Sequence, residues 1–169
     1  MDIAILIIRL FFGFAMAAHG AQKLFGWFGG YGVKATGGMF ESLGFRPGAA
    51  FAIMAGLSEL AGGLSMAAGL FTPFGSAAVV AAMVVAMVSV HLKNGFFAMG
   101  NGIELPFLYA LAALAVSFSG AGAFSFDALL GLTFSAEPYL ALTLNVLAVI
   151  GAAVTLSVRR RNVPSLSKS

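Results

Sequence analysis

Cysteine is absent from this chain, so it can form no disulfide, attach no c-type haem covalently and hold no iron–sulfur cluster with its own ligands. Redox chemistry here would need a bound cofactor or a partner. Charge is equally scarce: 9% of the residues are Asp, Glu, Lys or Arg, against about 25% in an ordinary soluble domain. Catalytic signatures are missing as well. No HExxH, GxSxG or Walker sequence occurs, and the glycine-rich piece Phe28-Gly29-Gly30-Tyr31-Gly32 lacks the strand-to-helix context of a phosphate-binding loop. Hydrolase, kinase and nucleotide-binding functions have no support.

What fills the chain is apolar side chain, 60% of residues against about 45–50% on average. Five runs are long enough to cross a bilayer, which takes about 20 residues each: Ile3 to Gln22, Gly48 to Leu70, Phe74 to Leu92, Ile103 to Ser119 and Tyr139 to Val158. Pro47, Pro73, Pro106 and Pro138 fall near the starts of the last four, where proline opens a helix and does not break it. The fold predicted is an all-α transmembrane bundle: four helices within residues 1–135, a fifth transmembrane helix in 136–158 and a basic tail, 159–169. The connection Lys23 to Arg46 carries Phe25, Trp27, Phe28 and Tyr31 and a weakly amphipathic stretch, Met39 to Leu43, and reads as an interfacial segment with an aromatic belt.

The formal charge of +3 is a topology signal and not a nucleic-acid patch, because four of the nine cations (Arg159, Arg160, Arg161, Lys168) lie after the last apolar run. If all five segments span, Lys23, Lys34, Arg46, Lys93 and the tail cations share one side, while the opposite loops carry Asp127 and Glu137. The positive-inside rule makes the basic side cytoplasmic, with the N-terminus outside and the C-terminus inside. Ala15-Met16-Ala17 resembles a signal-peptidase site, but no cation precedes the apolar run and Arg9 interrupts it, so the segment reads as a retained helix.

An ionisable side chain in hydrocarbon costs at least ~2.5–3.5 kcal/mol on insertion scales, so each one inside a span is a functional candidate. Arg9 and Glu59 are the deepest. Counted from the outer ends of two antiparallel helices they lie at about 9 Å and 13 Å, which predicts an Arg9–Glu59 ion pair, read either as a structural clamp or as the polar wall of a site. A second cluster is expected at the cytoplasmic mouth, where His19, Gln22 and Lys23 close the first helix, His91 closes the third, and Asn101 and Glu104 open the fourth. The bland readings are snorkelling for Lys23 and helix-end hydrogen bonding for the histidines and Glu104. Two histidines facing a bundle interior could also ligate a b-type haem, a weaker reading with no pairing evidence. No set of side chains predicts a metal site. Gly56, Gly62, Gly63 and Gly69 let helix two approach a neighbour closely. Met54, Met66, Met83, Met87 and Met99 read as ordinary packing more than as a lipophilic pocket.

Arg9 with His19-Gly20-Ala21-Gln22-Lys23-Leu24-Phe25, then Glu59-Leu60-Ala61-Gly62-Gly63-Leu64 and Gly69-Leu70-Phe71-Thr72-Pro73, resembles the DoxX family of small bacterial and archaeal membrane proteins. His91, Asn101-Gly102-Ile103-Glu104-Leu105-Pro106, Ser119-Gly120-Ala121-Gly122 and Phe124-Ser125-Phe126-Asp127 extend the likeness. The resemblance implies a four-helix protein of the plasma membrane whose relatives include the small subunit of a thiosulfate:quinone oxidoreductase. Its characteristic polar residues would be Arg9, His19, Gln22, Lys23, Glu59, His91 and Glu104. Two departures stand out: the fifth helix, and Ala121-Gly122-Ala123 where the family pattern leads one to expect a proline and a basic residue. The function expected is a membrane component of a quinone-linked redox system, with a soluble or membrane-bound redox partner. The alternatives are a non-catalytic scaffold for redox partners and a small-solute or proton carrier, the latter requiring a homo-oligomer.

Overall fold

The computed structural model describes residues 2–160; Arg161 and Lys168 of the basic tail lie outside them. Its elements are α1 (Asp2–Phe25), α2 (Gly32–Ser42), α3 (Gly48–Ala68), α4 (Thr72–Ala86), α5 (Glu104–Ser119), α6 (Phe126–Leu129) and α7 (Pro138–Ser157). A π-helical turn, Met87–His91, and a 3₁₀ turn, Leu92–Asn94, prolong α4. Among the described residues every regular element is helical. Four of the helical stretches, Asp2–Phe25, Gly48–Ala68, Thr72–Asn94 and Pro138–Ser157, are long and apolar enough to cross a membrane. At 1.5 Å per residue, α5 with its 16 residues covers about 24 Å, slightly short of a hydrocarbon core of about 30 Å. Lys23, Lys34, Arg46 and Lys93 mark one end of the bundle, here called the basic face.

The interior is built from small side chains and the exterior from large ones. Along α1 the buried residues are Ile5, Arg9, Gly13, Met16, Ala17, Gly20 and Ala21, whereas Ile3, Ile7, Phe11 and Phe14 are exposed at helical spacing. Lipid is as apolar as leucine, so close backbone packing, not burial of bulk, joins membrane helices. The most extensive contact in the molecule, α1 against antiparallel α3, follows this rule. A Cβ on Gly13 would come 2.7 Å from the Gly63 carbonyl oxygen, and one on Gly63 would come 2.5 Å from the backbone nitrogen of Ala17. Gly20 lies against Gly56 and Leu60, and Gly62 against the Gly75 carbonyl of α4. The core that follows is Met16, Met66, Val79, Val80, Met83, Ala110, Ala113 and Val116.

The long connection forms α2, which packs on the start of α3 through Gly37 against Gly48 and Ala49, with Phe40, Phe45 and Ala52 in a second apolar cluster. Helix α7 lies on α4. At one end Asn145 donates to the Ser117 hydroxyl, 2.8 Å. At the other, the Arg160 amide donates to the Gly44 carbonyl, 2.9 Å, the Arg159 Nε donates to the Leu43 carbonyl, and the guanidinium lies 6.0 Å from the Phe45 ring centre.

Gly63→Ala is expected to lower stability by about 1–3 kcal/mol, because the added carbon meets backbone that cannot give way. Gly151→Ala, where a Cβ meets nothing within 4 Å, is expected to be neutral or stabilising by up to about 1 kcal/mol. Thermal unfolding in mild detergent measures both.

Candidate functional site

The glycine contacts fix the α1–α3 register, and the register decides which charges meet. Arg9 comes opposite Gly69, just past the end of α3; Glu59 comes level with His19. The Arg9–Glu59 pair expected from depth therefore does not form, since Glu59 lies ten residues, about 15 Å of helix rise, from the level of Arg9. The first turns of α1 project beyond α3 and are wrapped by the chain around residues 121–128.

Arg9, 1% exposed, spends its guanidinium on carbonyls. It donates to Ala121 O, Phe124 O at 2.9 Å and, weakly, Ala67 O at 3.4 Å, the last being a C-terminal carbonyl of α3 without a helical partner. Gly69 ends α3 in the left-handed conformation, φ +64°, and a Cβ there would sit 2.7 Å from the guanidinium carbon. Asp127, fully buried, is the acidic group whose charge reaches Arg9. Its carboxylate accepts from the amides of Phe71 (2.8 Å) and Thr72 (3.1 Å) and from the Thr72 hydroxyl (2.7 Å), capping α4 from the short helix α6 where the α4 dipole favours an anion. Sequence reasoning placed Asp127 only in a loop. This end of the molecule is a polar latch in which the terminal guanidinium nitrogens of Arg9 are engaged and its Nε is without a partner among the described residues.

Glu59 instead pairs with Lys23, Nζ to Oε2 2.5 Å. Lys23 reaches it because helical side chains lean toward the N-terminus, here back along α1 to the level of His19. The carboxylate is 4% exposed and the ammonium-bearing side chain 24%, so two charges are held well inside a helical bundle.

Two cavities meet at this pair. The larger, about 430 Å³, is lined by Lys23, Ser58, Glu59, Ser89 and His91 against apolar residues of α2, α3, α4 and α7. The smaller, about 200 Å³, is lined by Met16, His19, Lys23, Glu59, Met83, His91 and Tyr109 among others. Lys23, Glu59 and His91 line both. His91 Nδ1 lies 2.9 Å from the Asn101 carbonyl; a carbonyl only accepts, so Nδ1 carries the proton and Nε2 is the ring atom offered to a ligand. The π-helical turn containing His91 inserts an extra residue into the helix and re-aims it, a device common at functional sites. His19 is fixed the same way: Gln22 Nε2 donates to Phe28 O (3.0 Å), which turns the Gln22 oxygen toward His19 Nδ1 (3.0 Å).

Asn101 and Glu104 take supporting places. Asn101 contributes its backbone carbonyl, and Glu104 accepts from the Ala98 amide, 2.7 Å, folding the loop that holds His91. Tyr109, edge-on to His19 at 5.8 Å, and Ser89 were not foreseen. Neither is ionised or grouped with other polar residues in the sequence, so no signal marked them. Among the described residues no group of three or more His, Asp or Glu gathers as a metal site.

Fold and site together define a small multi-helix membrane protein with a buried ion pair at the junction of two internal cavities. The sequence profile of the DoxX family matches residues 4–92, which run from the start of α1 past Lys23 and Glu59 to His91. The chain belongs to the DoxX family. An uncharacterized protein of Haemophilus influenzae is 31% identical over 123 residues, 71% of this chain and 85% of that one. No solved structure matches.

Breaking the buried pair by Glu59→Gln or Lys23→Met is expected to cost about 3 kcal/mol, because the surviving charge stays buried. Unfolding titrations should give a Lys23→Met/Glu59→Gln cycle coupled by more than about 1 kcal/mol, and an Arg9→Met/Glu59→Gln cycle additive within about 0.5 kcal/mol. The reverse pattern would restore the Arg9–Glu59 pairing.

Proposed function

We propose that this protein is a membrane component of a quinone-linked redox system and that the larger cavity, at Lys23, Glu59 and His91, receives the quinone head. The observation that carries this reading is a mostly apolar cavity of about 430 Å³ whose polar wall is an ion pair and a histidine with a free ring nitrogen. Ligand sites have this character, apolar with a few placed polar groups. The polar groups suit a quinone and its reduced form: Lys23 keeps two N–H groups beyond the one aimed at Glu59, which can donate to a carbonyl oxygen, and the unprotonated His91 Nε2 can accept from a quinol hydroxyl. A quinone, as substrate, accepts two electrons and two protons. Glu59 holds the Lys23 charge in place, and His19 and Tyr109 border the smaller cavity on the other side of the pair.

The electrons would come from a soluble or membrane-bound partner on the basic face. Two loops there expose large apolar groups: Trp27, Phe28 and Tyr31 in one, and Phe97 and Met99 in the other, at 72% and 103% exposure. These surfaces, with Lys34, Arg46 and Lys93, also favour the second reading, a scaffold that gathers redox partners without chemistry of its own. Under either reading the basic face is cytoplasmic by the positive-inside rule, in a bacterial or archaeal plasma membrane.

Quinone extracted from protein purified in mild detergent is expected near one per chain, falling severalfold in Glu59→Gln and His91→Ala. Electron transfer to quinone should fall in parallel at equal protein level. Full occupancy and full activity in both variants would exclude this site, and wild-type protein without bound quinone that still recruits a partner through Lys34 and Arg46 would support the scaffold.

A further inference from the structure

The larger cavity is closed toward the basic face and open to the side. Helix α4 is its floor, through Ala81, Ala82, Val85 and Ala86; α3 and α7 are its walls. Both walls pack extensively on α4 and scarcely on each other, so a gap runs between them. At the basic face the gap is shut by the contacts of Arg159 and Arg160 with the turn between α2 and α3. Farther in, among the described residues, the two helices scarcely touch. Met54 on α3 is 47% exposed, and Gly151 on α7 is exposed with no heavy atom within 4 Å of where its Cβ would stand.

Met54 and Gly151 lie six residues from the basic-face ends of their helices, Gly48 and Ser157, so each sits about 9 Å along the helix from that face. That depth is hydrocarbon, not water. The rim is apolar too: the Thr155 hydroxyl beside it is turned onto the Gly151 carbonyl, 2.9 Å. The passage therefore joins the polar end of the cavity to the acyl-chain region of one leaflet.

We infer that the gap between Met54 and Gly151 is a lateral portal, and that the ligand of the cavity is a single-headed amphiphile taken from the bilayer. Its compact hydrogen-bonding head sits at Lys23, Glu59 and His91, and its hydrocarbon tail leaves between α3 and α7 into lipid. This rests on the cavity being the ligand site, but not on the head being a quinone. Helix α7 lies outside the 4–92 family match, so the portal depends on a segment beyond that core.

The test uses full-length protein in phosphatidylcholine vesicles containing a hexadecanol probe with a mid-chain diazirine. Irradiation followed by peptide mapping is expected to find the probe on Ala82, Val85 or Ala86, as well as on the lipid-facing Leu147 and Val154. Gly151→Phe fills open space, so it should keep the wild-type melting temperature and the Leu147 and Val154 labelling while losing the labelling of the α4 floor. Gly151→Ala should retain all of it. A floor unlabelled in wild type, or labelled equally in Gly151→Phe, overturns the portal. Excess isoprenoid quinone that suppresses floor labelling supports portal and quinone together; unsuppressed floor labelling that Gly151→Phe still abolishes keeps the portal and removes the quinone.

Discussion

The close approach of α1 and α3 through Gly13, Gly20, Gly56 and Gly63 is the constraint on which the rest of the structure depends. Helices in lipid gain little from bulk apolar contact, so the surfaces that touch most closely set the alignment. With backbones this near, the register cannot slide by a turn without driving side chains into backbone. The buried charges of α1 and α3 are placed by that fit. Arg9 is delivered to the carbonyls beyond the end of α3, and Lys23 to the one buried carboxylate of α3.

The two ends of the molecule then diverge in character. At the end opposite the basic face the two buried charges are held by protein groups: Arg9 by three carbonyls, with its Nε left without a partner among the described residues, and Asp127 by the start of α4. Such contacts tie the loop around residues 121–128 to α1 and α4 and build structure. Nearer the basic face the Lys23–Glu59 pair satisfies charge but not hydrogen-bonding capacity, and it borders empty volume on both sides. Buried ion pairs contribute little net stability over apolar packing of the same volume, so one kept beside two cavities points to a functional role for that end.

Much of the fold was legible in the chain itself. Run lengths and prolines marked the crossing helices, and glycines on one stripe of α3 marked its interior face. The site was legible as residue types but not as partners. Depth counted from expected helix ends joined Arg9 to Glu59, because nothing in a helical period reveals that α1 overshoots α3 by two turns under a covering loop. His91 was named, but its aim depends on a π-helical turn that no periodicity announces. Glu104 and Asn101 were placed at the mouth on spacing, whereas the loop turns both to holding itself together.

The sequence by itself determined that this is a bundle of membrane-crossing helices with a few costly polar residues inside, since that follows from hydrophobicity and helix rise alone. Only the tertiary structure decided which of those residues meet, where empty space remains and which wall stays open. Those are properties of register between helices, fixed by how glycine surfaces nest and how far a lysine can reach.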